Sequence, residues 1–382
     1  MSNSGDPFLQ LSDSAGDPVA MIETLVKTYR RQQMPHELFE ALKMQIRVRL
    51  GLPILGQEEG QPRPEEIERE LEKALLGACR EVGTMLIRGG RIREGWMYFR
   101  PTGDTAAAAH LLRQVSANDE SLDDLIQVAL HEGVDIELGY GLLLQHRGTC
   151  NSITAFDQAV AHRHYREQRL AAGLLLDHVY RELQASIVAD LQRRSPSSAP
   201  LGSVEELLKQ YPDLLTGGAY HIDTTHLAST VRIGRVLEQP EQIAKLCELV
   251  EYGRRLHPQY QYAGEEPFLD FYPAHALFFG AIRGRGIPQA VSYFQRKATE
   301  IDATENGTGA IEVYVDLLDR LGRAGEALEA AVQMMPADIP AQRVAPLLID
   351  LAEKAHHKQP VLDFARRRGD LLLFAAALSL PS

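Results

Sequence analysis

A chain of 382 residues that is 45% hydrophobic and 24% charged has the makeup of folded globular material, long enough for two domains or one extended array. Its 40 lysines and arginines against 52 aspartates and glutamates give a formal charge of -12, which repels phosphate backbones and anionic lipid surfaces. Nucleic acid and membrane are therefore not the expected partners.

Residues 1–19 are polar and acidic, with neither the basic nor the apolar stretch of a secretory signal, which points to the cytoplasm. Residues 20–192 are expected to form an N-terminal helical half. Within it, ALLGACREVGTMLIRGGRIREGWMYF (74–99) reads as two helices turning at Gly89-Gly90, with Trp96 in the core. Residues 122–160 read as a longer hairpin turning near Gly148, with Arg147 at a solvated turn. His131 and Asp135 are four apart, so a continuous helix puts them on one face, a spacing that suits a metal site and equally an ordinary ion pair. The stretch 162–194 reads as one amphipathic helix whose His162 and His164, among Arg163, Arg166 and Arg169, belong to a solvated basic face. Linkers rich in proline and glycine fall at 51–64 and 193–203, and the second divides the array, leaving 204–382 as the C-terminal half. The three cysteines, Cys79, Cys150 and Cys247, are far apart and suggest neither a disulfide framework nor a zinc motif; they read as small core residues.

The C-terminal half repeats itself. HLASTVRIGRVLEQPEQIAKLCELVEYGRRL (226–256) overlies YPAHALFFGAIRGRGIPQAVSYFQRKATEID (272–302) at an offset of 46, pairing Gly234 with Gly280 and Ala244 with Ala290. Each copy reads as a helix, a polar turn and a second helix, with Pro240 and Pro288 near the start of the second. A third copy, IEVYVDLLDRLGRAGEALEAAVQMMP (311–336), has Leu321-Gly322-Arg323 at the turn, Glu326-Ala327-Leu328 opening the second helix and Pro336 ending it. On these residues it resembles a tetratricopeptide repeat, departing from that family at Val315 and Leu318, where glycine and tyrosine are preferred. The resemblance covers about a quarter of the chain and implies an all-α, right-handed helical-hairpin solenoid with a groove for a peptide or protein segment. No stretch alternates with period two, so no sheet is expected. Residues 341–380 close the array as a cap, and their apolar run at 371–380 is shorter than the roughly 20 residues a bilayer span takes.

Chemistry-bearing residues gather where the first helices of successive repeats begin. In GGAYHIDTTHLASTVR (217–232), Asp223, Thr224 and Thr225 are N-cap candidates and His221 and His226 flank them. At the repeat offset His226 stands opposite Tyr272, with His275 one turn further in, and the loop before it carries Glu265, Glu266 and Asp270. Stacked hairpins collect such loops along one edge, and helices 8–10 Å apart bring their side chains within reach of one ligand. Two readings stay open for each histidine: a ligand, or a capping and packing residue bonded to backbone. The aromatic run Tyr260, Tyr262, Phe268, Phe271 and Tyr272 is either a binding wall or a loop packing its own rings.

Three functions compete. The first is a scaffold holding a peptide or protein segment, for which a basic peptide suits the negative charge. The second is a metal-dependent hydrolase or lyase on a small polar substrate. There His221, His226 and His275 hold a divalent transition metal, Asp223 or Asp270 is ligand or general base, Tyr272 is an acid or substrate contact, and His131, Asp135, Glu265 and Glu266 contribute to binding. The third is a metal-free pocket using the same groups as acid and base on an anionic ligand.

Overall fold

The computed structural model describes residues 8, 11–12, 16–55, 63–195, 201–336 and 339–381. Much of the tail expected at 1–19, and residues 56–62 and 196–200 of the two expected linkers, lie outside the described residues. Among the described residues every regular element is a helix, and consecutive helices pack as hairpins. None of these helices is long and apolar enough to cross a membrane. The chain divides into two compact units, Met1–Leu174 and Leu175–Ser382.

In the first unit α1 (Pro18–Gln32), α2 (Pro35–Arg49), α3 (Glu65–Arg88) and α4 (Ile92–Phe99) pack in succession. Asp17 caps α1 by accepting from the backbone N–H groups of Val19 and Ala20, and a proline opens both α1 and α2, where its missing N–H is not needed. The chain turns between α3 and α4 at Gly89-Gly90, as the glycine pair predicts, with Gly90 at φ 82°. Behind that turn the helices almost touch. A Cβ on Gly95 would lie 2.5 Å from Ile87 Cγ1 and 2.9 Å from the Gly83 carbonyl oxygen, so glycine is required. The close approach seats Trp96 in a core with Ile87, Phe99, Leu112 and Leu125, and its indole N–H donates to Glu132 at 3.3 Å.

Beyond α5 (Thr105–Leu112) the structure departs in part from the hairpin expected over 122–160. The helix α6 (Leu122–Ile126) continues as a wider π turn to His131, Gly133 breaks it at φ 78°, and Asp135 caps α7 (Ile136–Ala155). One reversal, not foreseen, therefore lies at 132–135. Gly148, at φ 78° and ψ 178°, breaks α7 and turns the chain back as expected: the Tyr140 hydroxyl donates to the Ser152 carbonyl at 3.0 Å, and the Tyr140 and Phe156 rings lie 6.4 Å apart. His131 and Asp135 accordingly do not share a helix face. Asp135 accepts from the Leu138 N–H at 3.1 Å and is clamped by the Arg113 guanidinium at 2.6 and 3.0 Å, while His131 is exposed. The cysteines also differ from expectation: Cys150 is exposed, and Cys79 and Cys247 are only partly covered.

The long helix expected at 162–194 is α8 (Tyr165–Arg194), and the boundary between the units falls inside it. Its stripe of Leu176, Val179, Leu183, Ile187 and Leu191 is buried in the second unit, at the three-to-four spacing of an apolar helix face. A capping box of Ser203 and Glu206 opens α9 (Val204–Gln210). Hairpins follow: α10 (Thr224–Ile233) with α11 (Pro240–Arg255), α12 (Phe271–Ile282) with α13 (Ile287–Glu300), and, after the short α14 (Ala303–Asn306), α15 (Gly309–Arg320) with α16 (Ala324–Met334). The closing segment folds as α17 (Ala341–Lys354), α18 (Gln359–Arg368) and α19 (Leu371–Leu378). Gly234 and Gly280, paired by the repeat, do different things. A Cβ on Gly234 would strike Leu246 Cδ2 at 2.4 Å, whereas one on Gly280 would meet only the Arg285 carbonyl oxygen at 3.5 Å.

Candidate functional site

Two loops of the second unit lead into α10 and α12. In the first, Gly217 and Gly218 take φ of 70° and 80° and fold the chain back on itself. Asp223 is the N-cap of α10, as its position predicts: one carboxylate oxygen accepts from the Thr225 and His226 N–H groups at 2.8 and 3.2 Å and from the Thr225 hydroxyl at 2.6 Å. The hydroxyl first, then the N–H groups, hold its carboxyl below the ordinary aspartate value against the opposing effect of burial.

His221 turns inward between two partners. Its backbone N–H donates to the Tyr252 hydroxyl at 2.8 Å, its Nδ1 lies 3.2 Å from the same oxygen, and its Nε2 lies 3.1 Å from Asp190 Oδ2 on α8. A neutral ring protonated at Nε2 satisfies the whole set, donating to Asp190 and accepting from the Tyr252 hydroxyl. Burial works against the Asp190 charge, but His221, Arg193 and Arg194 outweigh it and hold that carboxyl low.

The second loop, 257–270, closes on itself around Gly264, where a Cβ would lie 1.9 Å from the Phe268 carbonyl oxygen. Its N–H donates to Leu269, and the Phe268 N–H donates to Glu265. Glu266 is paired with Lys297 Nζ at 2.7 Å. Asp270 occupies the N-cap position of α12 but accepts no capping hydrogen bond. Inside the helix, Tyr272 is buried over Gly253, with its hydroxyl unpartnered and its phenol pushed up by burial.

His275 is buried as well. Its Nδ1 donates to the Phe271 carbonyl at 2.7 Å, and its ring stacks on Phe268 with centroids 4.1 Å apart. Nε2 is buried without a partner. Burial first, then the nearby Arg235 cation, push its pKa down to about 3 against the opposing pull of the Phe271 carbonyl, so the ring is neutral. Arg235 itself lies over the Phe268 ring at 4.7 Å, and its own pKa is lowered to about 10, by burial above all.

The two loops converge, as stacking of hairpins predicts, but through aromatic rings: Tyr220 and Tyr260 have centroids 5.0 Å apart. The expected metal ligands are not brought together. Among the described residues no three His, Cys, Asp or Glu side chains are placed to hold one ion. His221 is taken up by Asp190 and Tyr252, and His275 is sealed among phenylalanines; His226 makes no side-chain hydrogen bond among the described residues and is partly covered. The N-caps of α10 and α12 are Asp223 and Asp270, so the helices start 47 residues apart and His226 shares its register with Pro273, one position beyond Tyr272. Asp190, Tyr252 and Arg235 went unnoticed in the sequence because each acts across the fold from a different helix or turn. Tyr220 had a signal, lying inside the glycine- and histidine-bearing stretch itself.

What the loops present to solvent is aromatic and acidic. Tyr220 is 53% exposed, Tyr262 46% and Leu269 55%, with Tyr260 partly covered. Residues 217–226 and 257–275 hold four carboxylates, Asp223, Glu265, Glu266 and Asp270, and no lysine or arginine. Glu265 is exposed and makes no ion pair among the described residues. The surface can offer ring faces and negative charge to a cation; His221 and His275 are committed inward. No protein-family model, no curated protein and no solved structure matches the chain, and the site stands on its own geometry.

Proposed function

We propose that this chain is a helical-repeat binding protein, with a right-handed tetratricopeptide-like array in its C-terminal unit, that holds a basic peptide or protein segment along the edge where α10 and α12 begin. The observation that carries the reading is the Tyr220–Tyr260 contact, with Tyr220 and Tyr262 exposed on two loops that contain carboxylates and no lysine or arginine. Lysine or arginine side chains of a partner would lie over the ring faces, an attraction of about 0.5–1 kcal/mol at an exposed site and more where water is excluded. Glu265 and Asp270 would add charge complementarity, which speeds encounter and selects against acidic partners.

The test is fluorescence anisotropy with a labelled peptide of alternating lysine and glycine, beside its glutamate counterpart. The lysine peptide binds the parent, and a Tyr220→Ala/Tyr260→Ala variant binds it about tenfold more weakly, the effect of losing roughly 1.4 kcal/mol. Equal binding of the glutamate peptide, or a double variant indistinguishable from the parent, would overturn the reading and reduce any attraction to the net charge alone.

A further inference from the structure

Beside the core-facing side of α12 that holds His275, Phe278 and Phe279, the helix turns Ala276, Leu277 and Gly280 toward a groove of about 400 Å³ shared with α9 and α11. That volume is in the range of small-molecule sites. Its floor includes Cys247 and Val250, and its rim carries four cationic side chains, Lys209, Arg255, Arg283 and Arg285, against three glutamates. In a chain of formal charge -12 this is a local inversion of sign.

The charges on the rim are not equally free. Glu205 pairs with Lys209 at 2.6 Å, and Glu251 pairs with Arg255 at 2.8 Å. Glu248 accepts from the Tyr180 hydroxyl at 2.6 Å and from the Glu205 N–H at 3.1 Å. Arg283 and Arg285 stand on the turn after α12, whose Gly284 and Gly286 take φ of 79° and 62°, and neither makes an ion pair among the described residues. Their nearness is felt at the floor: burial pushes the Cys247 thiol up, and the Arg283 guanidinium beside it opposes that rise. Gly280 keeps the space open, since a Cβ there would meet nothing closer than the Arg285 carbonyl oxygen at 3.5 Å.

We propose that this groove is a binding site for a small organic anion, a carboxylate or phosphate head held by Arg283 and Arg285 with an apolar body lying over Cys247, Val250 and Leu277. Guanidinium groups match both heads through paired N–H donors, and the neighbouring carboxylates hydrogen-bond other groups and form no ion pair with Arg283 or Arg285 among the described residues. The site is independent of the aromatic edge at the helix starts, and either can fail without the other.

Calorimetric titration with octanoate and with octyl phosphate, beside uncharged octanol, tests it in the full chain. One or both anions bind the parent and octanol does not; which anion binds identifies the head. An Arg283→Gln/Arg285→Gln variant loses affinity by about tenfold or more, and Gly280→Met, which fills the groove from an open position, abolishes binding while the circular dichroism and urea midpoint stay at parental values. Binding also slows alkylation of Cys247 by N-ethylmaleimide, with exposed Cys150 as the unaffected reference within the same molecule. No uptake of either anion by the parent at millimolar concentration, or equal affinity in the arginine variant, would overturn the proposal.

Discussion

The loops before α10 and α12 occupy matching places in successive hairpins, carry similar residue types, and use them in opposite ways. The first keeps its polar groups polar: His221 is bonded at both ring nitrogens, and Asp223 satisfies the first turn of α10. The second draws a histidine and a tyrosine into an apolar interior, where His275 Nε2 and the Tyr272 hydroxyl have no partner. Burying such groups unpaired costs free energy that the surrounding aromatic packing must offset. A histidine in a repeat loop therefore reports little about ligand binding until its neighbours are known.

The contrast is most sharply broken at Gly253. Tyr272 is buried because α11 offers no side chain there; a Cβ would lie 2.2 Å from its ring. Replacing Gly253 by leucine is expected to expel the ring and cost about 3 kcal/mol, read as a lower urea midpoint. Substitution at Gly280 should leave the midpoint nearly unchanged, because that position is open. Equal losses at the two glycines would mean that Tyr272 does not depend on the close approach.

Protonation probes the same contrast more gently. The folded-state pKa of His275 is about 3, well below the roughly 6.5 of an unfolded chain. Below pH 6.5 the unfolded chain takes up a proton that the native ring refuses, so the stability His275 contributes is full above that pH and is lost as pH falls toward 3. At pH 4.5 the loss is about 3 kcal/mol. A His275→Phe variant, with no titrating group among the phenylalanines, should lose that much less than the parent between pH 7.5 and 4.5 in urea titrations. Parallel losses in the two proteins would show that the ring is not held neutral.

How much of this was legible depended on how local the cause was. The turn at Gly89-Gly90 and the cap at Asp223 were readable because a glycine pair and an Asp-Thr-Thr run act within a few residues of themselves. Gly148 was readable in the same way, since it breaks α7 and turns the chain back, whereas the further reversal at 132–135 was missed because a single glycine, Gly133, marks it. The convergence of the two loops followed from repeat geometry, but its content did not. Asp190 reaches His221 from α8, and Arg235, from the turn after α10, adds to the burial that keeps His275 neutral, so neither pairing has a signature in the stretch it governs.

The smallest expected effect bears on Asp223 and Asp270, which hold the N-cap positions of α10 and α12. Asp223 accepts from two backbone N–H groups, whereas Asp270 accepts from none. Replacing Asp223 by alanine should cost about 1 kcal/mol, the usual worth of a side-chain cap, and Asp270→Ala only a few tenths. Asp223 also sits low on the acid scale because those same donors stabilise its charge, so the difference between the two variants should shrink as pH falls through its depressed pKa and the cap is protonated. Because the Asp270 side chain makes no capping hydrogen bond, its carboxylate is open to act on the surface, and Asp270→Ala should weaken capture of a lysine-rich peptide while moving the urea midpoint by no more than those few tenths. An Asp270 variant that lost stability as Asp223→Ala does would place that carboxylate with the caps and remove it from the binding edge.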